Sequence, residues 1–329
     1  MEAAPDRQIA KGTEMTTQTT MKAIRLSSFG GPEQLHYEEV PRPEAAADEA
    51  LIRIHATSVN PIEWLIRSGV MQQIMPVPLP YIPGSDLAGI VESVGEGVTA
   101  LQVGQEVYGT MDSMRGGAYA EYVAVPVAQL ALKPKTLDFA QAASIPVVAL
   151  TSWQSLFEKA GLTAGQSVLI HGGAGGVGMF AVQFARWKGA HVIATASAKD
   201  LEFVRSLGAA EVIDYKGERF EEKVSHLDVV LDLIGGETQQ RSWQTLKPGG
   251  ILVSTTAPPS EAEAAKHGVR ATMIQMHPSS ALLAEITDLI DSGQVQTFVG
   301  ATFPLEQAGQ AQEANRTGHM RGKIVIQVA

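Results

Sequence analysis

A glycine-rich segment that joins a strand pattern to a helix pattern constrains this sequence more than any other feature. Residues 168–170 form an apolar run typical of a buried strand, and residues 179–185 carry the apolar pattern of a helix. Between them the spacing is G-x-G-x-x-G. The first glycine allows a tight turn, the second lets backbone N–H groups approach a pyrophosphate, and the third lets helix and strand pack closely. The pattern predicts a dinucleotide-binding loop, with a plain strand-to-helix turn as the alternative. The residues of this loop are Gly173, Ala174, Gly175, Gly176, Val177 and Gly178.

Strand and helix patterns alternate along the second half of the chain, from about residue 147. Alternation at this spacing predicts a parallel, doubly wound sheet with helices on both faces, which is an α/β fold. The predicted strands are 168–170, 192–195, 211–214, 229–233, 251–254 and 271–275, and the predicted helices are 147–159, 179–188, 199–207 and 219–224.

The first half of the chain has a different pattern, with short strands separated by turns that contain glycine and proline. It predicts a β-rich, barrel-like domain. After the parallel sheet, a helix at 281–292 and a strand at 323–328 are expected to return to that domain. We therefore expect a β-rich domain of residues 21–146 and 277–329 and a dinucleotide-binding domain of residues 147–276. Residues 1–20 are polar and are expected to be a disordered extension or a tag remnant.

Composition excludes several classes of function. The net charge of −10 disfavours nucleic acid and anionic membrane as partners, because both need a basic face. No apolar run reaches membrane-spanning length. The sequence contains no cysteine, which excludes disulfides, thiolate catalysis and cysteine-ligated zinc. The N-terminal residues lack the patterns of a signal or transit peptide, so a cytoplasmic location is expected.

The end of the second strand of the alternating region favours one cofactor. A loop that binds NAD places Asp or Glu there to accept from the ribose 2′-OH, whereas this strand tip carries no acid. Ser197 and Lys199 can instead hydrogen-bond and neutralise a 2′-phosphate. Asp200 also fits the acidic first turn of a helix capped by Ser197, and the two interpretations are compatible. The sequence therefore predicts NADPH rather than NADH.

Four motifs together carry a resemblance to a known family. The chain from about residue 21 to residue 329 resembles the medium-chain dehydrogenase/reductase superfamily and, within it, the zinc-independent NADPH:quinone oxidoreductase branch. The resemblance implies a β-rich GroES-like domain and a Rossmann domain. The motifs are Ser58-Val59-Asn60-Pro61 with Arg67-Ser68-Gly69, residues 83–89, the glycine-rich loop, and Arg321-Gly322-Lys323-Ile324-Val325.

Departures from the zinc-dependent members of the superfamily matter as much as the matches. Those enzymes carry a cysteine where this chain resembles them at Asn60, and Gly-His-Glu where it reads Gly84, Ser85 and Asp86. The first ligand shell of a catalytic zinc is therefore missing. The resemblance implies metal-free hydride transfer to a conjugated acceptor, either a quinone or an α,β-unsaturated carbonyl compound, since conjugation spreads the developing negative charge onto oxygen.

The resemblance also assigns candidate site residues. Asn60 is expected to donate to the acceptor oxygen, although an asparagine that precedes a proline also suits a turn. Thr151 matches a family position beside the nicotinamide, with a buried, satisfied hydroxyl as the alternative. Tyr215 matches a position near the adenosine phosphate. Thr255 and Thr256 follow the fifth strand of the alternating region, at the sheet edge where ligands of such folds bind.

Several functions remain open at this point. Quinone reduction is the leading hypothesis, and its rival within the superfamily is reduction of an enone, 2-alkenal or enoyl double bond. A non-catalytic NADPH-binding protein is a third, of a different class. The resemblance further implies a homodimer, which could form through an edge strand at 271–275, since an unprotected edge is a template for pairing. An inner strand covered by its own helices is the alternative.

Overall fold

The computed structural model describes residues 19–318 and 320–329. Most of the predicted N-terminal extension, residues 1–18, lies outside the described residues. The first strand begins at Thr20, which pairs with Pro41 of the second strand, one residue before the predicted start of the first domain at residue 21. The paired main chain at this position provides the hydrogen bonds that a disordered segment would lack.

Seven strands form the β-rich part of the first half of the chain. The central strand, β3, pairs with β4 along one edge. Along its other edge, the first half of β3 pairs with β6 and the second half pairs with the C-terminal strand. A separate antiparallel pair, β1 and β2, packs beside it. The strands are β1 (Thr20–Leu26), β2 (Leu35–Pro41), β3 (Glu49–Ser58, the central strand), β4 (Asp86–Val94), β5 (Glu106–Thr110), β6 (Tyr122–Pro126) and β7 (Leu130–Leu132).

The second half contains a six-stranded, fully parallel sheet, which confirms the predicted doubly wound domain. Its order is β10-β9-β8-β11-β12-β13, so the order reverses between β8 and β11, where ligands of such sheets bind at the carboxyl ends of the strands. Strand β13 lies at the sheet edge, as its sequence predicted. The six strands are β8 (Ser167–Ile170), β9 (His191–Ala196), β10 (Glu211–Asp214), β11 (Leu227–Asp232), β12 (Leu246–Ser254) and β13 (Arg270–Met273). The two later strands, β14 (Val299–Pro304) and β15 (Lys323–Gln327), belong to the sheet of β3 and β4.

Ten α-helices accompany the strands in the part of the chain that the structure describes. The predicted helix 147–159 is interrupted, because its last residues, Gln154–Lys159, form a π-helical turn. The helices are α1 (Pro61–Arg67), α2 (Phe139–Ala143), α3 (Pro146–Trp153), α4 (Gly176–Trp187), α5 (Leu201–Ser206), α6 (Phe220–Lys223), α7 (Gly236–Ser242), α8 (Glu261–His267), α9 (Ser280–Asp291) and α10 (Ala308–Thr317).

The C-terminal segment joins the two halves of the molecule. Strand β15 pairs antiparallel with the end of β3, so the tail returns to the first domain, as the order of elements suggested. Just before β15, the Gly322 N–H donates to the Ala174 carbonyl of the glycine-rich loop at 2.9 Å. A short stretch of chain therefore touches both the predicted cofactor loop and the β-rich domain.

Candidate active site

The turn of the glycine-rich loop runs from Gly172 to Gly175, whose N–H donates to the Gly172 carbonyl at 3.0 Å. Gly172 has a φ of +73°, in the left-handed region that favours glycine, so this backbone conformation falls one residue before the motif. Gly173 lies inside the turn. A Cβ on Gly173 would lie 3.0 Å from the side chains of Ala194 and Val204, so glycine there also allows close packing beneath the loop.

The third glycine of the motif has the role that its spacing predicted. A Cβ on Gly178 would lie 2.1 Å from the Gly172 carbonyl oxygen, a separation at which the backbone itself would have to move. The close approach between helix α4 and the preceding turn therefore requires glycine at this position.

The start of α4 fits a pyrophosphate. The helix is 12 residues long and carries no acidic residue in its first turn. The first N–H groups of a helix have no intrahelical acceptor, so those of Gly176, Val177 and Gly178 are available to an anion at the positive end of the helix dipole. At the N-cap, a Cβ on Gly175 would make only an ordinary contact of 3.4 Å, with the Gly172 oxygen. The fold therefore does not require glycine here, and the absence of a side chain leaves space for a ligand at the start of the helix.

A buried hydrogen-bond chain supports the loop from below. The Ser242 hydroxyl donates to the Thr238 carbonyl at 2.7 Å, so its oxygen accepts from His171 Nε2 at 3.0 Å. His171 Nδ1 then accepts from the Thr195 hydroxyl at 3.2 Å, and Thr195 Oγ1 accepts the Gly172 N–H at 3.2 Å. Only the neutral imidazole satisfies this chain, and burial lowers the pKa of His171 to about 4.

This histidine gives the stability of the protein a defined pH dependence. Between its folded pKa of about 4 and its ordinary value of 6.5, the unfolded chain binds more protons at this site, so stability falls as pH falls through that window. On going from pH 7 to pH 5, we expect the wild type to lose about 2 kcal/mol more unfolding free energy than His171→Gln. Urea unfolding at the two pH values measures the difference, and parallel losses would contradict the assignment.

At the tip of β9, the residues predicted to read a 2′-phosphate surround an ion pair. The Ser197 hydroxyl donates to the Asp200 carboxylate at 2.8 Å rather than capping a helix, and Arg321 approaches the same carboxylate at 3.0 Å. The guanidinium also lies 4.6 Å from the ring centre of Phe203. Lys199 is exposed beside them, and Arg321 Nη2 donates to its carbonyl at 3.4 Å. The charge of Asp200 is therefore neutralised by Arg321.

The remaining predicted cofactor residues lie at the carboxyl edge of the parallel sheet. Tyr215 follows β10, its ring is 43% exposed, and its N–H donates to Ala196 at the end of β9. Thr255 follows β12 and donates its N–H to Asp232 at the end of β11, while the neighbouring Thr256 is exposed. The fold thus brings these residues to the edge on which the glycine-rich loop lies.

Asn60 lies in a buried polar cluster and is only 2% exposed. Its Oδ1 accepts from Lys323 Nζ at 2.6 Å, and its Nδ2 donates to Asp86 Oδ2 at 2.9 Å and approaches Glu63 Oε1 at 3.4 Å. Asp86 also accepts from the Ser58 hydroxyl at 2.7 Å. The Asn60 amide is therefore fully engaged by the protein, so a direct contact with an acceptor would require a hydrogen bond to be exchanged.

Glu63 closes the cluster on its other side. It lies at the third position of α1, where its carboxylate accepts from the Asn60 N–H at 2.9 Å, from the Tyr119 hydroxyl at 2.6 Å and from the Ser85 N–H at 3.1 Å. Burial raises the pKa of Glu63 to about 7, against the opposing effects of these donors and of Lys323.

Thr151 lies on α3, which packs against α4 on one side and against β4 and β5 on the other. Its side chain is largely buried, and its hydroxyl donates to the Val147 carbonyl one turn earlier at 2.7 Å. The N–H of Val147 donates in turn to Asp86 Oδ1 at 2.8 Å. Helix α3 is thereby anchored to the Asn60 cluster through Asp86.

Sequence reasoning missed several members of these clusters. Glu63 and Tyr119 carry no motif, although Glu63 stands three residues after Asn60, which is the spacing of a capping box. Arg321 and Lys323 entered only as part of a family motif. Arg321 and Lys323 lie far along the chain from their partners: Lys323 is 263 positions from Asn60, and Arg321 is 121 positions from Asp200.

Among residues 19–318 and 320–329, no group of three or more His, Cys, Asp or Glu side chains could hold a metal ion. Within the same ranges, no helix is both long and apolar enough to cross a membrane.

Comparison with known proteins agrees with this architecture. The alcohol dehydrogenase GroES-like domain matches residues 46–135, and the zinc-binding dehydrogenase family matches residues 207–326. The chain is 34% identical to the quinone oxidoreductase of Mus musculus, over 93% of this chain and 98% of that protein. It is 36% identical to a chloroplastic NADPH-dependent alkenal/one oxidoreductase of Arabidopsis thaliana, over 93% and 79%. The solved quinone oxidoreductase of Coxiella burnetii superposes with a TM-score of 0.88 at 33% identity, over 94% of this chain and all of that one.

The GroES-like domain, the parallel Rossmann sheet and the glycine loop at its switch point define a two-domain, nicotinamide-dependent class of oxidoreductase fold. The chain belongs to the medium-chain dehydrogenase/reductase superfamily, in its quinone oxidoreductase branch.

Proposed function

We propose that this protein is a reductase that transfers a hydride from NADPH to a quinone without zinc. The observation that carries the proposal is the cluster around Asn60. By resemblance, Asn60 stands where the zinc enzymes carry a cysteine ligand, and its amide is bound here by the Lys323 ammonium and the Asp86 carboxylate rather than facing a metal. Bound NADPH would supply the hydride, and the residues of this chain would orient the reactants and stabilise the charge that develops on the acceptor.

The residues that would hold the cofactor are those of the loop and the sheet edge. The N–H groups at the start of α4 would bind the pyrophosphate, and Ser197, Lys199 and Tyr215 would surround the adenosine ribose. Thr255 and Thr256 would lie near the carboxamide. On the nicotinamide side, Thr151 would limit the position of the ring, and Asn60 would orient the acceptor.

The preference for NADPH has support from charge. Asp200 is the first acid that follows β9 in the sequence, and its carboxylate is bound by Ser197 and Arg321, so it is poorly placed to accept a ribose hydroxyl. A 2′-phosphate would instead meet Lys199 and the guanidinium of Arg321, which is 37% exposed.

Lys199→Ala is expected to weaken NADPH binding by about tenfold and NADH binding by less than about twofold, because only NADPH carries the phosphate that the ammonium would contact. Titration of cofactor fluorescence gives both dissociation constants. Lys266→Ala, which removes an exposed lysine of the same domain on α8, serves as the control for net charge. An equal loss for both cofactors would remove Lys199 from phosphate recognition.

A panel of acceptors tests the proposed reaction directly. With NADPH, we expect kcat/KM for 1,4-quinones to exceed that for 2-alkenals and for enoyl thioesters. The second candidate, reduction of an enone or 2-alkenal double bond, has specific support in the 36% identity with the alkenal/one oxidoreductase. Higher kcat/KM for alkenals would select that candidate. Absence of turnover with every acceptor, despite NADPH binding, would favour a non-catalytic NADPH-binding protein.

Assembly and location complete the proposal. We expect a homodimer that pairs through β13, since this strand leaves one edge of the six-stranded sheet without a neighbour among the described residues. A cytoplasmic location is consistent with the acidic composition and the absence of cysteine, and nucleic acid is not expected as a partner.

A further inference from the structure

We propose that Lys323 is a positioning residue for the reduction step. It fixes the Asn60 carboxamide and places a positive charge beneath the acceptor side of the site. This inference rests on the proposed function, because it assigns Lys323 a role in the same hydride transfer. Lys323 contacts neither substrate nor cofactor in this role, and it transfers no proton.

The lysine head is held at a defined point. Lys323 is 4% exposed, and its Nζ donates to the Val59 carbonyl at 2.7 Å and to Asn60 Oδ1 at 2.6 Å, with Asp86 Oδ2 at 3.6 Å. A carboxamide whose oxygen faces an ammonium must present its NH2 group to the other side, where Asp86 accepts it. Lys323 therefore selects one of the two flipped orientations of the Asn60 amide.

The lysine stem connects this point to the cofactor loop. A Cβ on Gly176, the first residue of α4, would lie 2.9 Å from Lys323 Cδ and 3.0 Å from Val148 Cγ1. The residue before Lys323 donates its N–H to Ala174 of the same loop. Movement of the loop on cofactor binding would therefore be transmitted to the ammonium through direct contacts, without an intervening element.

The charges around the ammonium explain why it is retained despite burial. Asp86 faces it from β4, Glu63 from α1, and the Tyr119 hydroxyl approaches Glu63 from the segment before β6. Burial lowers the pKa of Lys323, and the two carboxylates oppose that effect. Without the ammonium, Asp86 would leave uncompensated negative charge next to the proposed position where the acceptor itself becomes negative. The lysine would lower the energy of that charge in the transition state.

Removing the charge while keeping the shape gives the first test. Lys323→Met, and Lys323→Gln as a second variant that can still donate to Asn60, are expected to lower kcat by about 100-fold, as for loss of a preorganised electrostatic group. The dissociation constant of NADPH, from fluorescence titration, should stay within about threefold of wild type because the loop N–H groups are untouched. Lys133→Met is the matched control. Its lysine is similarly buried, bonded to Glu106 and the Leu137 carbonyl, and lies outside the site.

Chemical restoration separates charge from structure. Because the chain has no cysteine, Lys323→Cys introduces a single thiol. This thiol can be alkylated in denaturant with 2-bromoethylamine, which rebuilds a lysine-like ammonium, or with 1-bromopropane, which rebuilds its neutral shape. After refolding, the aminoethyl protein is expected to have at least about tenfold higher kcat than the propyl protein at equal Tm. Lys133→Cys carried through the same steps controls for recovery after refolding.

The outcomes are distinct. Equal activity of the two alkylated proteins, or wild-type activity in both Lys323→Met and Lys323→Gln, would overturn the role of Lys323. A folded aminoethyl protein that binds NADPH but has no higher kcat than the propyl protein would also overturn it. If the wild type itself reduces no quinone, alkenal or enoyl thioester, then the proposed function fails and this inference fails with it. That result is distinguishable from the failure of this inference alone, in which the wild type is active and the Lys323 variants do not behave as expected.

Discussion

Gly175→Ala is expected to remove most of the affinity for NADPH while leaving the protein folded. A Cβ at this position would make only an ordinary 3.4 Å contact inside the protein, with the Gly172 oxygen, so the fold itself does not require glycine here. The methyl group would, however, lie at the N-cap of α4, where a pyrophosphate would approach the first N–H groups. Loss of two charge-assisted hydrogen bonds corresponds to an affinity about 100-fold lower.

Fluorescence titration with NADPH, together with thermal unfolding of the free protein, measures both sides of this prediction. Gly178→Ala is the matched comparison, since its Cβ would fall 2.1 Å from a backbone oxygen. That variant should lose about 3 kcal/mol of stability even without cofactor, because the helix must move away from the turn. Unchanged NADPH affinity in a folded Gly175→Ala protein would show that the pyrophosphate does not bind at this helix.

The contrast between these glycines shows what a motif can and cannot specify. The spacing G-x-G-x-x-G located the loop and the close packing at Gly178. It did not identify Gly172, one position before the motif, as the glycine with the left-handed backbone. Nor did it indicate the side chains of Ala194 and Val204, which lie beneath Gly173. Those contacts come from a neighbouring strand and a later helix, so a local pattern does not contain them.

Whole elements were missed for a related reason. The inner parallel strands have continuous apolar runs, and β8, β9, β10 and β11 were predicted to within two residues at each end. Strand β12 begins at Leu246, five residues before its predicted start at residue 251, because its first half contains the Lys247-Pro248-Gly249-Gly250 segment that is typical of a turn. Helices α1, α2, α7, α8 and α10 were not predicted. Helix α10 is polar over most of its length, yet it is held by contacts such as Trp64 Nε1 with Asn315 at 3.1 Å and Arg67 with Gln312 at 3.0 Å. Tertiary contacts stabilise such helices where intrinsic pattern does not.

The candidate site also contains residues that a local pattern locates and residues that only tertiary contacts bring together. The cofactor residues were predicted as a group because a parallel sheet brings the ends of its strands to one edge. The buried cluster was anticipated only through Asn60, and as a free donor to the acceptor. Its other members come from four separate elements, namely Glu63 on α1, Asp86 on β4, Tyr119 before β6 and Lys323 on β15. Sequence alone gives no sign that they meet.

Asp86→Leu is expected to destabilise the protein by about 3–5 kcal/mol, because it leaves a buried ammonium without its nearest carboxylate. The carboxylate also accepts from the Ser58 hydroxyl at 2.7 Å and from the Val147 N–H at 2.8 Å, and these donors would lose their partner in a position closed to water. Glu92→Leu on the same strand is the matched control. Its ion pair with Arg42 is partly exposed, so its loss should cost less than about 1 kcal/mol.

A double-mutant cycle then separates the ion pair from the hydrogen bonds. If the ammonium is what Asp86 compensates, Lys323→Met should relieve part of the loss, and Asp86→Leu with Lys323→Met should lose about 1–3 kcal/mol less than the sum of the single variants. Urea unfolding of the four proteins gives this coupling energy. Strict additivity would mean that Lys323 is uncharged or screened in the folded protein. The same cycle measured on kcat, at saturating NADPH, tests whether the charge that stabilises this cluster is also the charge that the reduction step uses. A coupling in unfolding free energy without a coupling in kcat would mean that Lys323 stabilises the fold and has no role in the reduction step.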